Sequence, residues 1–244
     1  MEFIVHYDLE IFHDLAELSE HFAELLKSEV DSSKDKFNLA LSGGNTPKHI
    51  FNHLAKHYQT IIKWNNVNFF WGDERCVPPN DNESNYKMTF ETLLSKVSIP
   101  KENIFRIKGE DSPKDEAKRY SGLIENKVHS KFNLPRFDLI MLGLGEDGHT
   151  ASIFLNQLEL LNDDKVFSVV SNPTTKQLRI SITGNVINNA RNIVFIITGI
   201  SKSKVVDHIL NNKVEAKKYP ASFIKPVDGK LIWLLDEGAA SLLK

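Results

Sequence analysis

Three kinds of residue in this sequence could do chemistry together. They are a histidine beside a carboxylate, a glycine run flanked by hydroxyls, and a few cations set just beyond apolar segments. The histidine is His149, in Gly143-Leu144-Gly145-Glu146-Asp147-Gly148-His149-Thr150. A neutral imidazole can take a proton from water, and Asp147 could orient the ring or stabilise the charge it then gains. A helical pattern through Ala151 and Phe154 would put His149 near a helix amino terminus, whose field disfavours imidazolium. The alternative is a histidine that only hydrogen-bonds the start of that helix.

The glycine run is Ser42-Gly43-Gly44-Asn45-Thr46-Pro47. Glycines let backbone N–H groups approach an anion closely, and Ser42 and Thr46 add hydroxyls. Pro47 fits the first turn of a following helix, whose positive end would face a phosphate. A plain glycine turn with a helix cap would read the same way. Lys202 and Arg179 are candidate cations for completing such a site. Arg75, in Gly72-Asp73-Glu74-Arg75, could bind a carbonyl oxygen or a phosphate. Each could equally be a solvated surface charge.

Other groups carry less. Gly143 to Gly148 fits the glycine fingerprint of dinucleotide-binding folds, which also needs an acidic residue at the end of the next strand. Asp163 and Asp164 precede the apolar run 166–170, the wrong end of that strand, so no nicotinamide cofactor is expected. His49, His53 and His57 share one helical face without a carboxylate in a known metal-binding pattern, and Lys48 and Lys56 mark that face as solvated. No metal is expected. Cys76 follows Arg75 but has no histidine tied to it by local sequence, and reads as a passive small residue. Asp73 and Glu74 are adjacent, which does not make a facing carboxyl pair.

The elements that must position these residues follow from hydrophobic period. Short apolar runs alternate with stretches of helical spacing, the pattern of an α/β fold. Residues 3–6 read as a short strand. From Leu9 to Val30, Phe12, Leu15, Leu18, Phe22, Leu25 and Leu26 recur at helical spacing, with Asp8 as the expected cap. Phe37–Leu41, Val67–Trp71 and residues 137–142 and 192–198 read as buried parallel strands, each followed by glycine and then a helical pattern. Residues 171–183 predict a loop and a strand, and residues 231–235 a last strand. Apart from Arg179, the candidate residues fall just after the four buried runs, at the sheet edge where α/β proteins bind ligands.

Length and composition set the bounds. The 244 residues are 41% hydrophobic and are read as one domain spanning 1–244. A single cysteine precludes an intrachain disulfide and suits a reducing compartment. The start, Met-Glu-Phe-Ile-Val-His-Tyr-Asp, lacks the regions of a secretory signal, so a cytoplasmic location is expected. A formal net charge of −2 argues against nucleic acid or an anionic membrane as partner. A monomer or weak oligomer is expected.

Residues 42–47, 71–78 with Ser84-Asn85-Tyr86, and 143–154 closely resemble the three signature blocks of the 6-phosphogluconolactonase family. Smaller likenesses at Ile99-Pro100, Glu102-Asn103-Ile104, Arg179-Ile180, Thr198-Gly199 with Lys202, and residues 233–237 extend the match over nearly the whole chain. The resemblance implies a Rossmann-like, mainly parallel α/β sheet with helices on both faces, shared with sugar-phosphate isomerases. It implies hydrolysis of the δ-lactone of 6-phosphogluconate, in the oxidative pentose phosphate pathway, without a cofactor. By position His149 would be the general base, with Asp147 and Arg75 in support. Ser42, Gly43, Gly44, Asn45, Thr46 and Lys202 would hold the substrate phosphate, and Arg179 is a further contact. Asn45, Leu155 and Ser181 depart from the commoner serine, proline and threonine, which bears on substrate preference. The related glucosamine-6-phosphate isomerases carry a glutamate shortly after the histidine, and residues 150–155 contain none. A non-catalytic phosphosugar sensor on the same scaffold would be expected to lack His149 or Asp147.

Overall fold

The apolar runs become strands wherever their backbone groups find a neighbouring ladder. A computed structural model describes residues 7–243, so the strand expected at residues 3–6 lies outside the described region. In chain order the elements are β1 (Asp8–Phe12), α1 (Leu15–Ser32), β2 (Phe37–Leu41), α2 (Asn45–His57), β3 (Val67–Trp71) and β4 (Asp73–Arg75). Next come α3 (Asn85–Thr89), α4 (Pro113–Lys127), β5 (Ser130–Lys131), β6 (Leu134–Pro135), β7 (Leu139–Leu142) and β8 (Phe167–Ser171). The chain ends with β9 (Leu178–Ile182), α5 (Gly184–Asn188), β10 (Asn192–Ile197), α6 (Ser203–Leu210), β11 (Lys230–Asp236) and α7 (Glu237–Ala240).

Among the described residues, β1-β11-β10-β7-β2-β3 form one sheet in that order, every pair parallel. Each of β2, β3 and β10 is buried along its whole length. Successive side chains of a strand face opposite ways, so complete burial means that both faces of the sheet are covered. The core is rich in aromatic rings, including Phe195 stacked on Trp233 with centroids 4.3 Å apart. This is the parallel α/β arrangement that the alternating runs predict and the Rossmann-like sheet that the family resemblance implies.

Two expectations need correction. The helix predicted from Leu9 begins only at Leu15, and Leu9, Ile11 and Phe12 lie in β1, paired with β11. Phe12 and Leu15 happen to fall at helical spacing across the junction, which hid the boundary. The actual cap is Asp14, whose carboxylate accepts N–H bonds from Ala16 at 2.8 Å and Glu17 at 2.9 Å. Glu17 in turn accepts from the His13 N–H at 2.8 Å, so the helix cannot extend backward. The second correction concerns β3, which leads into a strand and not a helix. Gly72 donates to the Leu41 carbonyl at 2.9 Å and accepts from the Ile182 N–H at 2.8 Å. It thereby turns the chain into β4, the edge of a small antiparallel sheet ordered β4-β9-β8. In that ladder Asp73 pairs with Ser181 and Arg75 with Arg179.

Candidate active site

Strand order reverses between β2 and β7, because β2 feeds β3 on one side while β10 follows β7 on the other. The loops leaving these two strands diverge, and the crevice between them is where such sheets bind ligands. A cleft of about 490 Å³ opens there. Ser42, Gly43, Gly44, Asn45, Thr46, Arg75, His149, Arg179 and Lys202 all line it, joined by Asp73 and Asn85. Asp147 does not line the cleft, but touches it through His149.

The β2 loop offers its backbone. Gly44 caps α2 without any side-chain bond, so the amides of the first turn keep no local acceptor. Pro47 lies in that first turn, as the sequence predicts. Thr46 Oγ1 sits 2.7 Å from Thr198 Oγ1, tying this loop to the end of β10. Asn85 packs beneath Gly43 so closely that any β-carbon there would strike its amide. That closeness requires glycine. Asn85 is itself clasped by Glu74, whose carboxylate accepts N–H bonds from Arg75, Asn85 and Tyr86, each at 2.8 Å. The Ser84 hydroxyl adds a fourth bond at 3.1 Å. Burial raises the Glu74 carboxyl above its ordinary range, against these donors. Glu74 is therefore a fastener for the loop carrying Arg75, and Arg75 Nη1 is tied to the Glu83 carbonyl at 2.5 Å.

The β7 loop is folded on itself. Gly145 N–H donates to the His149 carbonyl at 2.8 Å, Gly148 N–H to the Gly145 carbonyl at 3.0 Å, and the Thr150 hydroxyl to the Gly143 carbonyl at 2.9 Å. His149 Nδ1 lies 2.5 Å from Asp147 Oδ1. That bond is the main reason the Asp147 carboxyl falls below its ordinary range, outweighing desolvation. An ionised Asp147 accepts a proton-bearing Nδ1, which leaves Nε2 as the free acceptor of the ring. The helix expected to begin at His149 is absent. Residues after it form turns with Ala151 at φ +48°, and the next helical segment is a 3₁₀ stretch at Leu155–Asn162. No helix terminus therefore acts on the ring, and the group beside it is the Asp147 carboxylate.

Two further cations complete the wall. Lys202 Nζ approaches Glu146 Oε1 at 3.8 Å, whereas Lys204 is exposed on α6. Arg179 lies against Phe154, its guanidinium carbon 5.6 Å from the ring centre, and the same ring packs 4.9 Å from that of His149. Burial, opposed by Asp73, lowers the basicity of Arg179. Sequence reasoning placed Asn85, Ser152 and Thr198 in blocks of family likeness but gave them, like Asp73, no role. Asp73 gains its place only through the β4–β9 pairing, which sets it beside Ser181 in the ladder that carries Arg75 and Arg179.

Other sequence features stay apart. His53 bonds Glu20 at 2.8 Å and lies beside His57, and the described residues hold no group of three side chains placed to bind a metal. Cys76 is half-buried, and its thiol is pushed up to about 11, chiefly by burial. No described helix is long and apolar enough to cross a membrane.

The glucosamine-6-phosphate isomerases/6-phosphogluconolactonase family matches residues 13–233. A 6-phosphogluconolactonase of Haemophilus influenzae is 42% identical over 211 residues, covering 84% of this chain and 87% of its own. One from Treponema pallidum is 38% identical over 202 residues, covering 83% of each. Among solved structures, the 6-phosphogluconolactonase of Trypanosoma brucei superposes with a TM-score of 0.88 at 28% identity, covering 98% of this chain and all of that one.

Proposed function

We propose, from the premise that the chain belongs to the glucosamine-6-phosphate isomerase/6-phosphogluconolactonase family, that it hydrolyses 6-phospho-D-glucono-1,5-lactone to 6-phosphogluconate. That is the lactone-opening step of the oxidative pentose phosphate pathway. The observation that carries the reading is a carboxylate-paired imidazole sharing one cleft with a glycine loop whose helix start has no side-chain cap.

The phosphate sits against the first-turn amides of α2, with the hydroxyls of Ser42 and Thr46 and the charges of Lys202 and Arg179 around it. Anchoring at that end fixes the lactone carbonyl relative to His149. His149 Nε2 takes a proton from water as its oxygen attacks the carbonyl carbon. Asp147 stabilises the imidazolium that forms. Negative charge growing on the carbonyl oxygen meets Arg75 or loop N–H groups. The tetrahedral adduct collapses by breaking the bond to the ring oxygen, which receives the proton back from His149. No covalent intermediate and no cofactor enter the scheme.

His149→Ala should lose roughly 10²–10⁴-fold in kcat, the usual contribution of a general base. The assay follows acid release from freshly prepared lactone, with spontaneous opening subtracted. Wild-type turnover in that variant would refute the base assignment. Glucosamine 6-phosphate should release no ammonia with the same preparation, because residues 150–155 supply no carboxylate for isomerase chemistry.

A further inference from the structure

Arg75 and Arg179 are direct partners across the β4–β9 ladder, and both line the cleft. Two guanidinium groups on paired residues repel each other unless something between or behind them compensates. Arg75 is secured at its tip by the Glu83 carbonyl. Arg179 has no carbonyl at its tip, and the buried Nε atoms of both arginines find no hydrogen-bond partner among the described residues.

What lies behind Arg179 is a short relay. Asp73 is 5% exposed, and its Oδ2 accepts the Ser152 hydroxyl proton at 2.5 Å. The same Ser152 oxygen accepts from Arg179 Nη1 at 3.3 Å, and Asp73 Oδ2 itself is 4.0 Å from that nitrogen. Ser152 is fully buried and fixed in turn, its N–H donating to Ser181 Oγ at 3.1 Å. Asn85 steadies Asp73 from the other side, donating Nδ2 to its backbone carbonyl at 2.9 Å. A buried carboxylate is costly unless it serves as a counter-charge. The arginine this relay reaches is Arg179, whose side chain has no acceptor other than Ser152 among the described residues.

We infer that Asp73 is a positioning residue: acting through the Ser152 hydroxyl, it holds the Arg179 guanidinium over the Phe154 ring, so that its remaining terminal N–H groups present to the substrate phosphate. This rests on the proposed function for the identity of the anion, but the relay concerns any phosphate held in the cleft. Asp73 and Ser152 take no part in the bond changes at the lactone carbon. Glu74, its neighbour in sequence, does a different task in fastening the loop, which explains why adjacent carboxylates face different partners.

The test compares wild type, Asp73→Asn, Ser152→Ala and the double variant by steady-state kinetics and by calorimetric binding of inorganic phosphate. Loss of a hydrogen bond to a charged group predicts a roughly 10- to 100-fold weaker KM and phosphate Kd in each single variant. kcat should stay within about threefold, and the double variant should lose no more than Asp73→Asn alone, since the two act in series. A collapse of kcat at unchanged KM would overturn the inference and place Asp73 at the reacting atoms. Unchanged phosphate affinity in both single variants would overturn it as well, and so would additive losses in the double variant. Should wild type bind phosphate but open no lactone, the functional reading fails while the phosphate measurements still decide the relay.

Discussion

The tightest constraint on the candidate base is a residue with no side chain. At Gly145 a β-carbon would fall inside the His149–Asp147 pair, colliding with both His149 Nδ1 and Asp147 Oδ1. Ordinary contact begins at 3.4 Å, so Gly145→Ala forces the imidazole and carboxylate to withdraw, by about 1 Å if they share the movement. The backbone of Gly145 has no positive φ, and its bonds to His149 and Gly148 are backbone bonds that alanine can also make. The damage is therefore aimed at the ring and not at the loop. A displacement of that size in a catalytic group costs on the order of 10²-fold. We expect kcat for lactone opening to fall by about that factor while KM changes little, because the anion loop lies on another strand. A thermal melt should show a loss of no more than a few degrees, consistent with a surface loop that gives by about an ångström. Wild-type kcat in Gly145→Ala would refute the claim that the observed His149–Asp147 geometry is the working one. A fall in KM-related binding without loss of kcat would refute it equally.

Two further outcomes bear on the scaffold. Gly122→Ala, in the interior of α4 with open space around the new methyl group, should stabilise the protein by about 0.5–1 kcal/mol without altering turnover, read from a urea melt. The Cys76 thiol, raised from an ordinary 9.0 to about 11 by burial and then by Glu74, should alkylate slowly at pH 8 and faster as pH approaches 11. Its folded value exceeds its unfolded one, so the associated stability is intact below pH 9.0 and is lost as pH rises toward about 11. Cys76→Ala should flatten that part of the stability profile.

Much of the frame was legible because parallel strands buried on both faces are continuous apolar runs, as in β2, β3 and β10. The gathering of loops beyond β2, β3, β7 and β10 followed from that frame, and all the cleft-lining candidates do meet there. What was not legible depends on partners distant in sequence. Residues 73–75 form a strand only because Leu178–Ile182 offers a ladder, and nothing in three charged residues announces it. The start of α1 was misread because apolar residues of β1 fall by chance at helical spacing with those that follow. Ser152 carries no local sign of function, and its weight comes from Asp73, 79 positions away.

The missing helix after His149 changes how the imidazole is controlled. A helix amino terminus would keep the ring neutral by disfavouring positive charge, and would oppose that charge just as strongly once water gives up its proton. In the proposed mechanism a carboxylate acts in the other direction at that moment: Asp147 would fix which nitrogen carries the proton beforehand and stabilise the imidazolium afterwards. The exchange requires Asp147 and His149, two residues apart, to point at one another, which a regular helix does not allow. The chain therefore turns between them and continues through Ala151 at φ +48°, a conformation unfavourable for a residue with a β-carbon. Gly148, at φ +81°, makes the turn between the pair, and Ala151 lines the cleft just beyond it. Relaxing that turn into a helix would straighten the loop and separate Asp147 from Nδ1, removing the partner on which the proposed base depends.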